Sequence, residues 1–154
     1  MTSHPLENLA HTGQLKPEPP AEAELNGLFL SGQRRLADAE QENLSLESRF
    51  DLAYNAAHAL ALTALRLQGY RSENRYLVFQ CLKHTADLPN TQWRVLDQAH
   101  RKRNLAEYEG HLEVDESLVA AMIRVARDVA ASVLLPLDGC TSARSSIDRR
   151  RSSP

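Results

Sequence analysis

The sequence predicts an all-α protein, an up-and-down bundle of about five helices in one domain, and three observations carry that prediction. Ala and Leu together number 44 residues, whereas Val and Ile number 9, a ratio that favours helix over sheet because unbranched side chains keep their rotamers in a helix. No Pro occurs in the 68 residues from Ala21 to Leu88, while the other prolines sit towards the ends or at joints between apolar segments. Apolar residues recur at three- and four-residue intervals through most of the chain, with no internal repeat.

Residues 1–20 end in Lys16-Pro17-Glu18-Pro19-Pro20, poor in large side chains and rich in proline, and are expected to form a disordered arm. The helical domain then spans 21–136. Leu25, Leu28, Phe29, Leu36 and Ala39 mark a first helix over about 22–41, with Gln33, Arg34, Asp38 and Glu42 facing away. Gly27 and Gly32 each weaken it by about 1 kcal/mol relative to Ala, so tertiary contact must hold it, and Gly32 falls on the apolar side where a second helix can approach closely.

Asn43-Leu44-Ser45 forms a joint, and Ser48 with Asp51 has the spacing of a capping box. The second helix, running to about Gln68 and stopped by Gly69, is apolar at nearly every position from Phe50 to Leu67 and therefore central. Asp51, Asn55 and His58 interrupt it in one narrow stripe. Ser72 is expected to cap a third helix over about 73–86, halted by Leu88-Pro89, and Asn90 or Thr91 a fourth over about 92–109, ended by Gly110. Asp115 caps the last, which buries Leu118, Met122, Val125, Ala126, Val129 and Val133 and closes at Pro136. Residues 137–154 are Ser/Arg-rich and read as a disordered tail.

Charge and cysteine usage exclude several function classes. A net charge of −2 and a pI near 6.3 argue against a surface that is basic all over, as non-specific duplex binding requires. Cys81 and Cys140 have no metal or redox spacing, which fits a reduced intracellular chain. No apolar run of signal-peptide length lies between Met1 and Leu15, and none approaches the ~20 residues that span a bilayer, so the expectation is a soluble, cytoplasmic protein with no membrane association. Walker loops, GxGxxG, HExxH and CxxC are absent, as are paired Glu-x-x-His elements, so neither a nucleotide cofactor nor a metal is expected.

Polar density is greatest from His100 to His111, where His100, Asn104, Glu107 and Tyr108 share one helix face with Arg103 beside it. Read plainly, this is a solvated face with an Arg103–Glu107 pair at i, i+4, worth about 0.3–0.5 kcal/mol. The order of elements, the Ala-rich second helix ending in Gly69-Tyr70, and Arg103-Asn104-Leu105-Ala106-Glu107-Tyr108 resemble the HEPN superfamily over about residues 22–135. These are small helical domains often built around an Arg-polar-x-x-x-His motif. Many are homodimers in which the motif residues of both chains meet at the interface as a metal-independent RNase.

The resemblance implies that Arg103 holds or polarises a scissile phosphate and that Asn104 orients it. Tyr108 stands where an active HEPN nuclease usually has His. A phenol with a pKa near ~10 is a poor base for a ribose 2′-hydroxyl, whereas a neutral imidazole suits the task. His111, eight residues after Arg103, lies past Gly110 and is a weak substitute. His58 is better placed, since the second helix must pack on the fourth, although a buried histidine bonded to its neighbours is the plain alternative.

Two functional expectations follow. The first is an RNA-directed, homodimeric protein of toxin–antitoxin or stress-defence type, with Arg103, Asn104 and Tyr108 lining a dimer cleft and His58 contributing. The second is a non-catalytic interaction or nucleotide-sensing module paired with another protein, an antitoxin or a nucleotidyltransferase. A two-fold interface is expected to bury an apolar patch of Phe29, Trp93 and the Gly32 face.

Overall fold

The computed structural model describes the backbone of residues 4–151 and the side chains of residues 4–134. Its elements run α1 (His4–His11), β1 (Lys16–Pro17), α2 (Glu22–Ala39), α3 (Leu46–Leu67), β2 (Tyr70–Arg71), α4 (Arg75–Gln80), α5 (Leu82–Thr85), α6 (Asn90–Glu109) and α7 (Glu116–Arg151). The protein is all-α: β1 and β2 are two-residue strands that pair antiparallel, Lys16 opposite Arg71 and Pro17 opposite Tyr70.

α3 is the central helix. It packs against α2 and α7 and, less extensively, against α4 and α5, so Phe50, Ala53, Tyr54, Ala57, Leu60 and Leu65 are all buried. Small side chains let the neighbours come close, and the closest approach is at Gly32 of α2. A Cβ there would lie 2.8 Å from Leu60 Cγ and 3.5 Å from the Ala56 carbonyl oxygen. Phe29 and Gly32 are thus covered within the chain, and Trp93 is half-buried with its ring centroid 5.6 Å from that of Tyr76. The apolar patch expected from these residues does not form. The exposed large apolar side chains among the described residues are instead Leu30, Leu44, Leu105, Tyr108 and Leu134.

Residues 4–20 are not a disordered arm. Leu6 and Leu15 enter the core, and the strand pair fixes Lys16 and Pro17 beside β2. The anchor is Arg66, 1% exposed near the end of α3. Its Nε donates to Glu24 Oε1 at 2.9 Å, Nη1 to the Glu18 carbonyl at 2.8 Å and Nη2 to the Pro19 carbonyl at 2.9 Å. Arg71 pairs with both Glu18 and Glu24, closing a network of two arginines and two glutamates. Prolines near residue 18 free carbonyls from local bonding, and a buried guanidinium with several donors collects them.

The helix ends differ from expectation in five places, the last at Pro136. Ser45, not Ser48, caps α3, its side chain accepting from Ser48 N–H. Asn74, not Ser72, caps α4, accepting from Leu77 N–H at 3.0 Å. The single third helix divides into α4 and α5 at Cys81, whose carbonyl accepts from both His84 and Thr85 N–H, tightening the turn. Pro89 precedes α6 with no side-chain cap, so neither Asn90 nor Thr91 fills that role. Gly69 and Gly110 end α3 and α6 at φ +88° and +81°, conformations that favour glycine. Asp115 Oδ1 accepts from Leu118 N–H at 2.8 Å at the start of α7.

Pro136 does not close α7, which continues to Arg151: a proline removes one ladder bond and bends a helix without always ending it. The Ser/Arg-rich tail expected over 137–154, with Cys140, lies outside the residues whose side chains are described. Among the described residues, no helix is long and apolar enough to cross a membrane.

Candidate functional site

The polar stripe of α3 and the polar half of α6 face each other without close backbone packing, and long side chains span the space between them. Tyr54, 1% exposed, is the hub. Its hydroxyl lies 2.9 Å from His100 Nδ1, and the guanidinium carbon of Arg103 sits 4.7 Å from its ring centroid. Arg75, the first residue of α4, approaches the same ring at 5.7 Å and donates through Nη1 to Asn55 Oδ1 at 3.0 Å. Two cations therefore rest on one aromatic ring, whose quadrupole attracts each of them.

His100 is held from both sides, with Asn104 Nδ2 3.1 Å from its Nε2. A neutral imidazole satisfies both contacts: Nε2 accepts from the Asn104 amide while Nδ1–H donates to Tyr54 Oη. Partial burial and the field of Arg103 lower the His100 pKa, which favours that neutral form. Tyr76 stacks at a tilt on His100 with ring centroids 4.9 Å apart and donates to Asp97 Oδ1 at 2.9 Å, and Asp97 also receives Arg101.

His58 lies one turn along α3, edge-on to Phe79 with ring centroids 6.0 Å apart. Its Nε2 is buried with no hydrogen-bond partner among the described residues. Burial first, then the charges of Arg75 and Arg103, push its pKa down to about 4. The imidazole is neutral at pH 7 and its free nitrogen is turned away from water.

Of the residues singled out in the sequence, Arg103 and His58 are brought into one electrostatic neighbourhood. Asn104 stands on the exposed rim, bonded to His100 of its own helix. Tyr108 does not join them: it is 91% exposed and has no hydrogen bond among the described residues. His111 lies 3.9 Å from Glu113 and lines an open groove of about 390 Å³, onto which Glu47, Asp51, Arg103 and Glu107 also open. Arg103 Nη1 is 3.7 Å from Glu107 Oε1, the i, i+4 pair read from the sequence.

Sequence reasoning missed Tyr54 and Arg75. Tyr54 falls within the apolar run of the central helix, yet it lies beside the stripe of Asp51, Asn55 and His58, next to His58, which is the signal that could have placed it. Arg75 carries no pattern of its own. Among the described residues, no group of three or more His, Cys, Asp or Glu side chains is placed to hold a metal ion.

The fold and this site define an all-α protein with a half-buried cationic face built across α3, α4 and α6. No family model, curated protein or solved structure matches the chain.

Proposed function

We propose that the chain is an HEPN-like, RNA-directed protein of toxin–antitoxin or stress-defence type that acts as a homodimer, with Arg103 as its phosphate ligand. One observation supports this reading above others: Arg103 is drawn back from solvent onto Tyr54, where a second guanidinium and two neutral imidazoles surround it. A guanidinium so placed offers a planar pair of donors to a phosphodiester, and Asn104 on the rim supplies an amide to orient it. In the enzymatic form, metal-independent cleavage takes the proton of a ribose 2′-hydroxyl onto a neutral imidazole.

A non-catalytic interaction module, paired with an antitoxin or nucleotidyltransferase, is the second reading, and a specific observation favours it. Within one chain, His58 Nε2 is covered, both nitrogens of His100 are engaged, and Tyr108 stands free of the cluster. Those ring nitrogens are not free to take a proton beside Arg103, and His111, which opens on the same groove, lies 3.9 Å from Glu113.

Wild type and Arg103→Ala are compared for binding and cleavage of single-stranded RNA in the presence of EDTA. Cleavage that Arg103→Ala abolishes is the expected result for the enzyme. Binding lost in the variant, with no cleavage by either protein, selects the non-catalytic reading. RNA binding and cleavage that are absent, or indifferent to Arg103, overturn the assignment to RNA.

A further inference from the structure

Resting on the reading of Arg103 as a phosphate ligand, we propose that Arg75 is a second ligand, and that Arg75 and Arg103 together cradle one phosphate group over Tyr54. Arg75 is half-buried, and its side-chain partners are neutral: it donates to Asn55 Oδ1 and lies against Tyr54. Among the described residues, no carboxylate lies within ion-pair distance of it. A partly desolvated cation with neutral partners and no anion beside it is costly.

Arg103 is in a similar position, since its carboxylate neighbour Glu107 is 3.7 Å away on a side chain that is 67% exposed. The two guanidiniums are held near one ring by different helices and repel each other. The acidic groups around them cancel this charge only in part. Asp97 is engaged by Tyr76 and Arg101. Of Glu47, Asp51 and Glu107, which share a groove with Arg103, Glu107 alone comes within ion-pair distance of it among the described residues. His58 and His100 add no positive charge when neutral. What the cluster lacks is an anion that accepts from two guanidiniums at once, and the three-oxygen face of a phosphate fits that demand better than a single carboxylate.

Tyr54 sets the geometry. Its ring is buried and its hydroxyl fixed by His100, so neither cation has to be ordered when the ligand arrives. Helix α4 thereby becomes part of the site, although the Arg103 motif lies wholly on α6.

Inorganic phosphate and a short single-stranded RNA are each titrated calorimetrically into the full chain, with Arg75→Gln, Arg75→Lys and Arg103→Ala alongside wild type. Arg75→Gln is expected to weaken both ligands about tenfold and to lower the salt dependence of RNA binding by about one phosphate contact, with Arg75→Lys in between. If Arg103→Ala weakens RNA while Arg75→Gln binds as wild type, the cradle is wrong and the reading of Arg103 stands. If phosphate binds and needs both arginines while RNA does not bind, the cradle stands for a free phosphate ligand and the RNA reading falls. If neither variant changes either ligand, both fall. Should Arg75→Gln fail to fold, the ring nitrogens of His58 and His100 in the wild type serve instead: phosphate between the arginines shifts their NMR signals, and unmoved signals overturn the proposal.

Discussion

Tyr54 of α3 and His100 of α6 are joined at 2.9 Å, Oη to Nδ1, across two helices whose backbones do not pack closely. This contact ties the polar half of α6, which also packs on α4 and α7, to the central helix and fixes the ring on which Arg103 and Arg75 rest. Tyr54→Phe keeps the ring and removes the hydroxyl, leaving one imidazole nitrogen without its partner. The expected loss is about 1–2 kcal/mol in urea denaturation, and an unchanged midpoint would show that the bond does not stabilise the fold.

His58 makes the fold acid-sensitive. In the native protein it stays neutral down to about pH 4, whereas in the unfolded chain it takes up a proton near 6.5. Between those values the unfolded chain binds more protons, so the stabilisation is complete above pH 6.5 and is lost as the pH falls towards 4. His100, lowered for the same leading reason, acts in the same direction. With allowance for partial exposure, His58 accounts for about 2 kcal/mol of the difference between pH 7 and pH 4. Urea denaturation of His58→Gln across this range should give a flatter profile than wild type, and equal slopes would refute the assignment.

Gly32→Ala places a methyl group 2.8 Å from Leu60 Cγ, and Leu60, fully buried, has no room to retreat. Overpacking of this kind costs about 1–3 kcal/mol. Leu60→Ala removes both opposing carbons, so the double variant should lose less than the sum of the two single variants, and the two substitutions couple. Strictly additive midpoints would contradict the close approach of α2 and α3.

Arg66→Met keeps length and apolar contact while cutting the bonds to Glu24 and to the carbonyls of Glu18 and Pro19. Removing one partner of a buried charged network costs about 3 kcal/mol, and hydrogen exchange should rise first in residues 4–20. Arg71→Ala, at a side chain 34% exposed, should cost at most about 1 kcal/mol. If exchange in this segment is unaltered by Arg66→Met, other contacts hold it.

What could be read from the sequence was local. Gly69 and Gly110 end helices because their backbone angles favour glycine, and Gly32 faces a neighbour because its place in the apolar spacing left room for one. The Arg103–Glu107 pair follows from helical spacing alone. Contacts between distant segments were another matter. Arg66 reads as an ordinary cation in the last turn of a helix until Glu18, Glu24 and Tyr70 are seen around it. Proline-rich composition suggested disorder for the first residues because it reports what a segment cannot do by itself, not what a buried guanidinium elsewhere can offer it. Asn104 was placed correctly on a shared face with His100, whereas Tyr108, one turn further, follows the same face out into solvent.

The docking of residues 4–20 also orders events in time. Arg66 reaches the Glu18 and Pro19 carbonyls across 48 and 47 positions of chain, so this contact carries a loop-closure entropy that sequence neighbours such as α2 and α3 largely avoid. The α2–α3 pair can therefore assemble while the first residues still wander, and the two-stranded bridge to Tyr70 and Arg71 locks afterwards. The same segment is then the first to let go, a latch that opens before the bundle does.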